Sequence, residues 1–90
     1  MEINEVIFID SLPKLDLHGY DRDSAKVAIN DFIEDNIKMG NEIISIIHGN
    51  GKGIIKKTTI DTLKKNHNVI EYKSSYFNRG CTIAKIKLTN

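Results

Sequence analysis

One run, residues 42–48, most restricts the folds that this chain can adopt. Isoleucine fills most of it, at Ile43, Ile44, Ile46 and Ile47. A strand that is apolar at nearly every position is typical of a parallel sheet, because such a strand is buried on both faces. We therefore predict an α/β fold in which this run is a parallel strand.

Capping residues and hydrophobic spacing divide the rest of the chain into elements. Asp21 is a good N-cap and Gly40 a good terminator for a first helix. The helical spacing predicts that its buried stripe is Ala25, Ala28, Ile29, Phe32, Ile33 and Ile37. A second helix follows Gly53 to about Asn66, and further strands are predicted over residues 14–18, 69–73 and 81–88.

The resulting order, β-α-β-α-β-β, predicts a two-layer α/β sandwich with a mixed sheet. Residues 14–90 form this domain, and residues 1–13 are an N-terminal extension. The second helix is predicted to bury Ile55, Thr59, Ile60 and Leu63. In the last strand, Thr82, Ala84, Ile86 and Leu88 alternate with Lys85 and Lys87, which predicts one buried and one solvated face.

Size and composition indicate one soluble domain. The chain has 90 residues, of which 40% are hydrophobic and 28% charged. The single cysteine, Cys81, excludes a disulfide framework and a cysteine-rich zinc site, so we expect a buried small residue and a cytoplasmic setting. No apolar run approaches the roughly 20 residues of a membrane span, and no leader sequence opens the chain. We expect a monomer without a membrane partner.

Charge is divided unevenly along the chain. Residues 1–45 carry four Lys/Arg and ten Asp/Glu, a net −6, whereas residues 46–90 carry nine and two, a net +7. A basic face concentrates phosphates even on a protein whose total charge is +1. The alternative is that the two halves pair their charges within the fold.

Two predicted strands each end in a histidine followed by a glycine. The first is Leu15-Asp16-Leu17-His18-Gly19, and the second ends in His48-Gly49. In an open α/β sheet, ligands lie outside the carboxyl ends of the strands. If the two strands are parallel neighbours, both imidazoles therefore reach one edge. Asp16 shares a strand face with His18 and either orients its imidazole or caps the turn that follows.

Two imidazoles at one edge suit acid–base chemistry on a phosphodiester. A free imidazole titrates near pH ~6.5, so His18 and His48 can serve as a base and acid pair. No cofactor is required in this scheme, and an attacking ribose hydroxyl would restrict cleavage to RNA. Mg²⁺ stays open as an alternative if Asp16, His18 and His48 converge on one point. The structural alternative is that each histidine is only a hydrogen-bonded strand end.

A glycine-rich loop, Gly49-Asn50-Gly51-Lys52-Gly53, follows the second histidine. Glycines let backbone amides approach an anion, and the helix N-terminus that follows favours negative charge. Lys52, Lys56 and Lys57 add cations for phosphates. The loop is not a Walker A sequence, and the alternative is a tight strand-to-helix turn. Farther along, the aromatic rings of Tyr76 and Phe77, with Arg79, suit stacking on unpaired bases. The alternative is that one or both rings close the core.

These motifs, in this order, resemble the Smr (small MutS-related) domain family. Its LDLHG motif matches residues 15–19, its HGxG motif residues 48–51, and its Gly-small-Thr segment is Gly80-Cys81-Thr82. The third motif departs from the family, which often has several glycines where this chain has Asn78-Arg79. The resemblance covers roughly residues 14–88.

The resemblance implies a fold similar to the C-terminal domain of translation initiation factor three. It also implies binding of DNA or RNA, branched or structured, and nuclease activity in some members. By position, the motif tied to cleavage matches Asp16 and His18. The motif tied to nucleic-acid contact matches His48, Gly49 and Gly51. Such domains occur alone or as the tail of a MutS paralogue. Our hypothesis is a weak endonuclease, and the alternatives are a non-catalytic module for nucleic acid or ribosomes, and a small-metabolite phosphate binder.

Overall fold

The computed structural model describes residues 11–49, 53–75 and 80–88. Within these ranges the elements are β1 (Lys14–Asp16), α1 (Arg22–Met39), β2 (Ile43–Ile47), α2 (Ile54–Lys65), β3 (Val69–Ser74) and β4 (Cys81–Ile86). The predicted order β-α-β-α-β-β is confirmed. Most of the predicted N-terminal extension lies outside the described residues.

The four strands form one mixed sheet in the order β1-β2-β4-β3. β1 pairs with β2 in parallel, whereas β4 runs antiparallel to both β2 and β3. β1, β2 and β3 therefore point in one direction, and their carboxyl ends share the edge at which β4 begins. The mixed sheet predicted from the sequence is confirmed.

The main core lies between the sheet and the two helices. Its members are fully buried apolar side chains from every layer: Leu17, Ala25, Ile29, Ile33, Ile44, Ile46, Leu63, Ala84 and Ile86. The predicted stripe of α1 faces this core, with Ala28, Phe32 and Ile37 partly buried around it. In α2, Thr62 is buried, whereas Ile60, which the spacing predicts to be buried, is only half-buried.

The last strand is buried on both faces, which the predicted one-sided alternation did not anticipate. Ile83 and Ile43 form a second cluster with Leu12 on the face away from the helices. On that same face, Ser45 Oγ lies 2.8 Å from Cys81 Sγ, and both side chains are buried. The prediction was wrong because Leu12 and residues of the neighbouring β2 cover this second face.

Local hydrogen bonds determine where the elements end. Asp21 caps α1 by accepting from the Ser24 amide at 2.8 Å, and Gly40 ends it with a φ of 77°, as predicted. β1 ends at Asp16 and not at His18, because the chain turns there. β4 ends at Ile86 and not at residue 88, because Ile86 pairs with Val69, the first residue of β3.

One buried polar residue of α1 was not predicted. Asn36 is fully buried, donates to the Phe32 carbonyl at 2.8 Å and accepts from the Asn41 side chain at 2.8 Å. It therefore anchors the connection from α1 to β2. Within the described ranges, neither helix is long and apolar enough to cross a membrane.

Candidate nucleic-acid interface

Both histidine motifs leave the sheet at the same edge. β1 and β2 are parallel neighbours, and the Leu17 amide extends their pairing by donating to the Ile47 carbonyl at 2.8 Å. His18 follows β1 by two residues and His48 follows β2 directly. The predicted neighbouring parallel strands are confirmed, and they bring both motifs to one edge.

The carboxylate of Asp16 holds the turn after β1. Its Oδ1 accepts the backbone amide of His18 at 2.9 Å, and the Tyr20 amide donates to the Leu17 carbonyl at 3.0 Å. Gly19 adopts a φ of 85°, which a side chain would disfavour. Of the two roles open to Asp16, the structure therefore shows the turn cap. The His18 side chain is exposed, and its ring has no hydrogen-bond partner in the described part of the chain.

The second imidazole is held within the protein. His48 is only 9% exposed, its Nε2 lies 2.8 Å from the Thr82 hydroxyl, and its Nδ1 lies 3.1 Å from the Gly49 carbonyl. A carbonyl can only accept, so Nδ1 carries the proton. In the neutral ring Nε2 then accepts from the Thr82 hydroxyl. Both ring nitrogens are thereby satisfied.

Burial and a nearby cation favour the neutral form of His48. Desolvation lowers the pKa of His48 most, the bond to the Gly49 carbonyl opposes this, and the positive charge of Lys56 lowers it further. His48 is therefore neutral at pH 7. The two histidines differ chemically, since one is exposed and the other is a buried, neutral ring.

The segment that opens β4 fixes the exit of β2. The Gly80 carbonyl accepts the amides of His48 at 2.8 Å and Gly49 at 3.0 Å. Gly49 has a φ of 78°, which lets the chain turn sharply after the histidine. Thr82 was not among the predicted site residues. The Gly80-Cys81-Thr82 motif was the signal that could have identified it.

The N-terminus of α2 differs from that of α1 in its capping. α1 starts with the Asp21 side-chain cap and has Asp23 in its first turn. The N-cap of α2 is Gly53, which has a φ of 84° and no side-chain cap, and the first turn of α2 contains no acidic residue. Lys56 and Lys57 lie in that turn, half-buried and exposed respectively. Within the described residues, this turn therefore has no carboxylate of its own to accept from its amides.

Several predicted site residues lie outside the described part of the chain. These are Asn50, Gly51, Lys52 and Arg79, together with Tyr76 and Phe77. Among the residues that are described, no three His, Cys, Asp or Glu side chains form a group that could hold a metal ion. The described part of the predicted site therefore comprises Asp16, His18, His48, Gly49, Gly53, Lys56 and Lys57.

The sequence matches a known domain family over most of its length. The model of the Smr domain matches residues 15–87. The chain is 32% identical over 77 residues to endonuclease MutS2 of Staphylococcus saprophyticus, covering 82% of this chain and 10% of that protein. It is 33% identical over 76 residues to endonuclease MutS2 of Brevibacillus brevis, covering 81% and 10%. The chain thus spans about a tenth of the length of these relatives.

Two solved structures share the fold. The Smr domain of Thermus thermophilus MutS2 superimposes with a TM-score of 0.81 at 18% identity, covering 84% of this chain and 99% of that domain. YdaL, a stand-alone small MutS-related protein of Escherichia coli, gives a TM-score of 0.79 at 17% identity, with coverages of 92% and 79%. The architecture is therefore that of Smr domains.

Proposed function

This chain belongs to the Smr domain family, and we propose that it binds nucleic acid and cleaves phosphodiester bonds. The proposed interface, called here the histidine edge, consists of His18, Gly19, Gly49, Gly53, Lys56 and Lys57. The observation that carries the proposal is an uncapped helix N-terminus bearing two lysines on the segment that follows His48. The name of the relatives, endonuclease, supports the second part of the proposal.

Binding is assigned to the start of α2. Backbone amides at a helix N-terminus favour an anion, and α2 places no carboxylate of its own there. Lys57 is exposed and available for a phosphate, while Lys56 also acts on the buried His48. Each phosphate that a lysine neutralises releases counterions, so affinity falls steeply with salt.

Cleavage is assigned first to His18. Its exposed ring can reach a bound phosphodiester, whereas Asp16 keeps the His18 backbone in the turn. We give His48 a positioning role, because both of its nitrogens are occupied. In the paired scheme His48 is the second acid–base group, which requires Nε2 to exchange the Thr82 hydroxyl for the substrate.

Matched lysine pairs on one helix test the binding proposal. Lys56→Ala/Lys57→Ala removes two charges from the start of α2, and Lys64→Ala/Lys65→Ala removes two from its last turn. We expect the first pair to weaken binding of labelled single-stranded RNA and branched DNA. Its log–log salt slope should become shallower by about 0.7–0.9 for each phosphate that is no longer neutralised. Equal effects of both pairs would indicate only general charge and contradict the proposed interface.

Matched histidine variants test cleavage. End-labelled RNA, branched DNA and supercoiled plasmid are incubated with EDTA or Mg²⁺ and with wild type, His18→Ala or His67→Ala. His67 is exposed and follows the far end of α2, so it serves as the control. We expect His18→Ala alone to abolish cleavage while binding is retained.

His48→Gln separates the two schemes for cleavage. If His48→Gln abolishes cleavage and leaves the melting temperature unchanged, the paired scheme is favoured. If it lowers the melting temperature and some cleavage remains, the positioning role of His48 is favoured. The bonds that hold His48 also suit a module that only binds nucleic acid or a ribosomal surface. No histidine-dependent cleavage of any substrate, with binding retained, would make that module the better assignment.

A further inference from the structure

A groove beside the histidine edge has two walls from different parts of the chain. It has a volume of about 690 Å³ and is lined by Tyr20, Asp21, Arg22, Asp23, Ile54 and Ile55. Tyr20 comes two residues after His18, and Ile54 directly follows Gly53. The groove therefore adjoins the uncapped start of α2, and its Tyr20 belongs to the same backbone turn as His18.

The groove exposes large apolar surface at this edge. Tyr20 is 41% exposed and Ile54 is 56% exposed. The Tyr20 backbone is held in place, since its amide donates to the Leu17 carbonyl at 3.0 Å. An exposed aromatic ring that shares a groove with two aliphatic side chains suits a flat ligand.

We propose that this groove holds one unpaired base of the bound strand, next to the phosphate at the start of α2. This inference rests on the proposed function. Tyr20 stacks on the base, and Ile54 covers its other side. Arg22 offsets one of the two negative charges that Asp21 and Asp23 place near a polyanion. A groove of this volume, with one aromatic and two aliphatic side chains among its lining residues, holds a single unpaired base and not a duplex.

The acidic residues of the groove favour a base with N–H donors. Asp21 uses Oδ1 for the Ser24 amide and hydroxyl, each at 2.8 Å. Asp23 makes no such bond in the described residues and is exposed. A free carboxylate accepts two parallel hydrogen bonds, and guanine presents N1–H and N2–H side by side. The groove therefore prefers guanine to uracil.

Removal of a single base tests the groove. Binding of a labelled single-stranded RNA is compared with that of the same strand carrying one abasic site, moved position by position. For wild type we expect one position at which base removal weakens binding roughly 5- to 150-fold, the equivalent of about 1–3 kcal/mol of stacking. Tyr20→Ala should bind both strands equally weakly, and Tyr20→Phe should behave like wild type.

One further pair of variants and one single substitution supply controls. Ile54→Ala should reduce the effect of the abasic site, whereas Ile70→Ala on β3, at 57% exposure a match for Ile54 at 56%, should not. Asp23→Asn should remove the preference for guanine over uracil at the sensitive position.

The possible failures can be told apart. If Tyr20→Ala is as sensitive to base removal as wild type, the groove assignment is wrong, while salt-dependent binding through Lys56 and Lys57 would keep the proposed function. If no strand binds with a salt dependence, the proposed function itself fails. If binding is confined to free guanosine monophosphate, the site takes a nucleotide and not a strand, which also overturns the inference.

Discussion

Replacing Thr82 by valine tests whether one hydroxyl holds the second imidazole in place. Thr82 is fully buried, and its Oγ1 lies 2.8 Å from Nε2 of the buried His48. Valine keeps the shape of the side chain but leaves Nε2 without a partner. An unsatisfied buried polar group costs about 1–3 kcal/mol. The added methyl group offsets part of this, so we expect the free energy of unfolding to fall by about 1–2 kcal/mol.

Thr59→Val is the matched control for this substitution. Thr59 is also fully buried, and its hydroxyl donates to the Ile55 carbonyl at 2.8 Å. That carbonyl keeps its own helical amide partner when the hydroxyl is removed. We therefore expect the unfolding free energy of Thr59→Val to stay within about 0.5 kcal/mol of wild type.

Urea unfolding of both variants and wild type, followed by circular dichroism, gives their free energies of unfolding. In a thermal melt of a domain of this size, a loss of 1 kcal/mol lowers the melting temperature by roughly 4–8 °C. The nitrogen chemical shifts of the His48 ring should report the Nδ1–H form in wild type. Equal destabilisation by the two valines, or an Nε2–H form in wild type, would refute the reasoning from the hydrogen bonds of His48.

Two further predictions concern the same exit from β2. Burial lowers the pKa of His48 in the folded protein, so the unfolded chain takes up the proton first as the pH falls. The free energy of unfolding should therefore decrease as the pH falls below 6.5, and it should level off below the pKa of the folded state. Urea unfolding midpoints measured between pH 4.5 and 8 should show this pH dependence for wild type and not for His48→Gln. If His48→Gln keeps the pH dependence, another titrating group causes it. Gly49→Ala should destabilise by about 1–2 kcal/mol through its φ of 78° alone, since an added Cβ would meet nothing within 4 Å. Gly49→Asn should cost less, and equal thermal melting of the two variants would contradict this cause.

Much of the fold follows from local patterns in the sequence. The isoleucine run predicted a strand of the sheet interior, and the capping residues of α1 predicted both of its ends. Both depend on chemistry within a few residues. The position of β4 does not, because strand order depends on contacts between distant segments. Its second buried face was missed for that reason.

The site was predictable in its location but not in its internal bonds. Two His-Gly pairs at strand ends were enough to place both motifs at one edge once β1 and β2 pair in parallel. The sequence treats His18 and His48 alike, whereas the structure distinguishes them by burial. The His48 ring is also held by a hydrogen bond with Thr82, which lies 34 positions after it along the chain. No local pattern identifies a partner so far along the chain.

The central position of β4 has a consequence for the order in which this domain assembles. β4 lies between β2 and β3, yet it comes after both of them along the described part of the chain. Until it is made, β2 and β3 both lack a neighbour on the side where β4 belongs, and such open strand edges are prone to pair with other chains. The partners of His48, Gly80 and Thr82, arrive with that same segment. A growing chain can therefore complete this sheet and fix its second histidine only after the segment that contains Gly80 and β4 has been made.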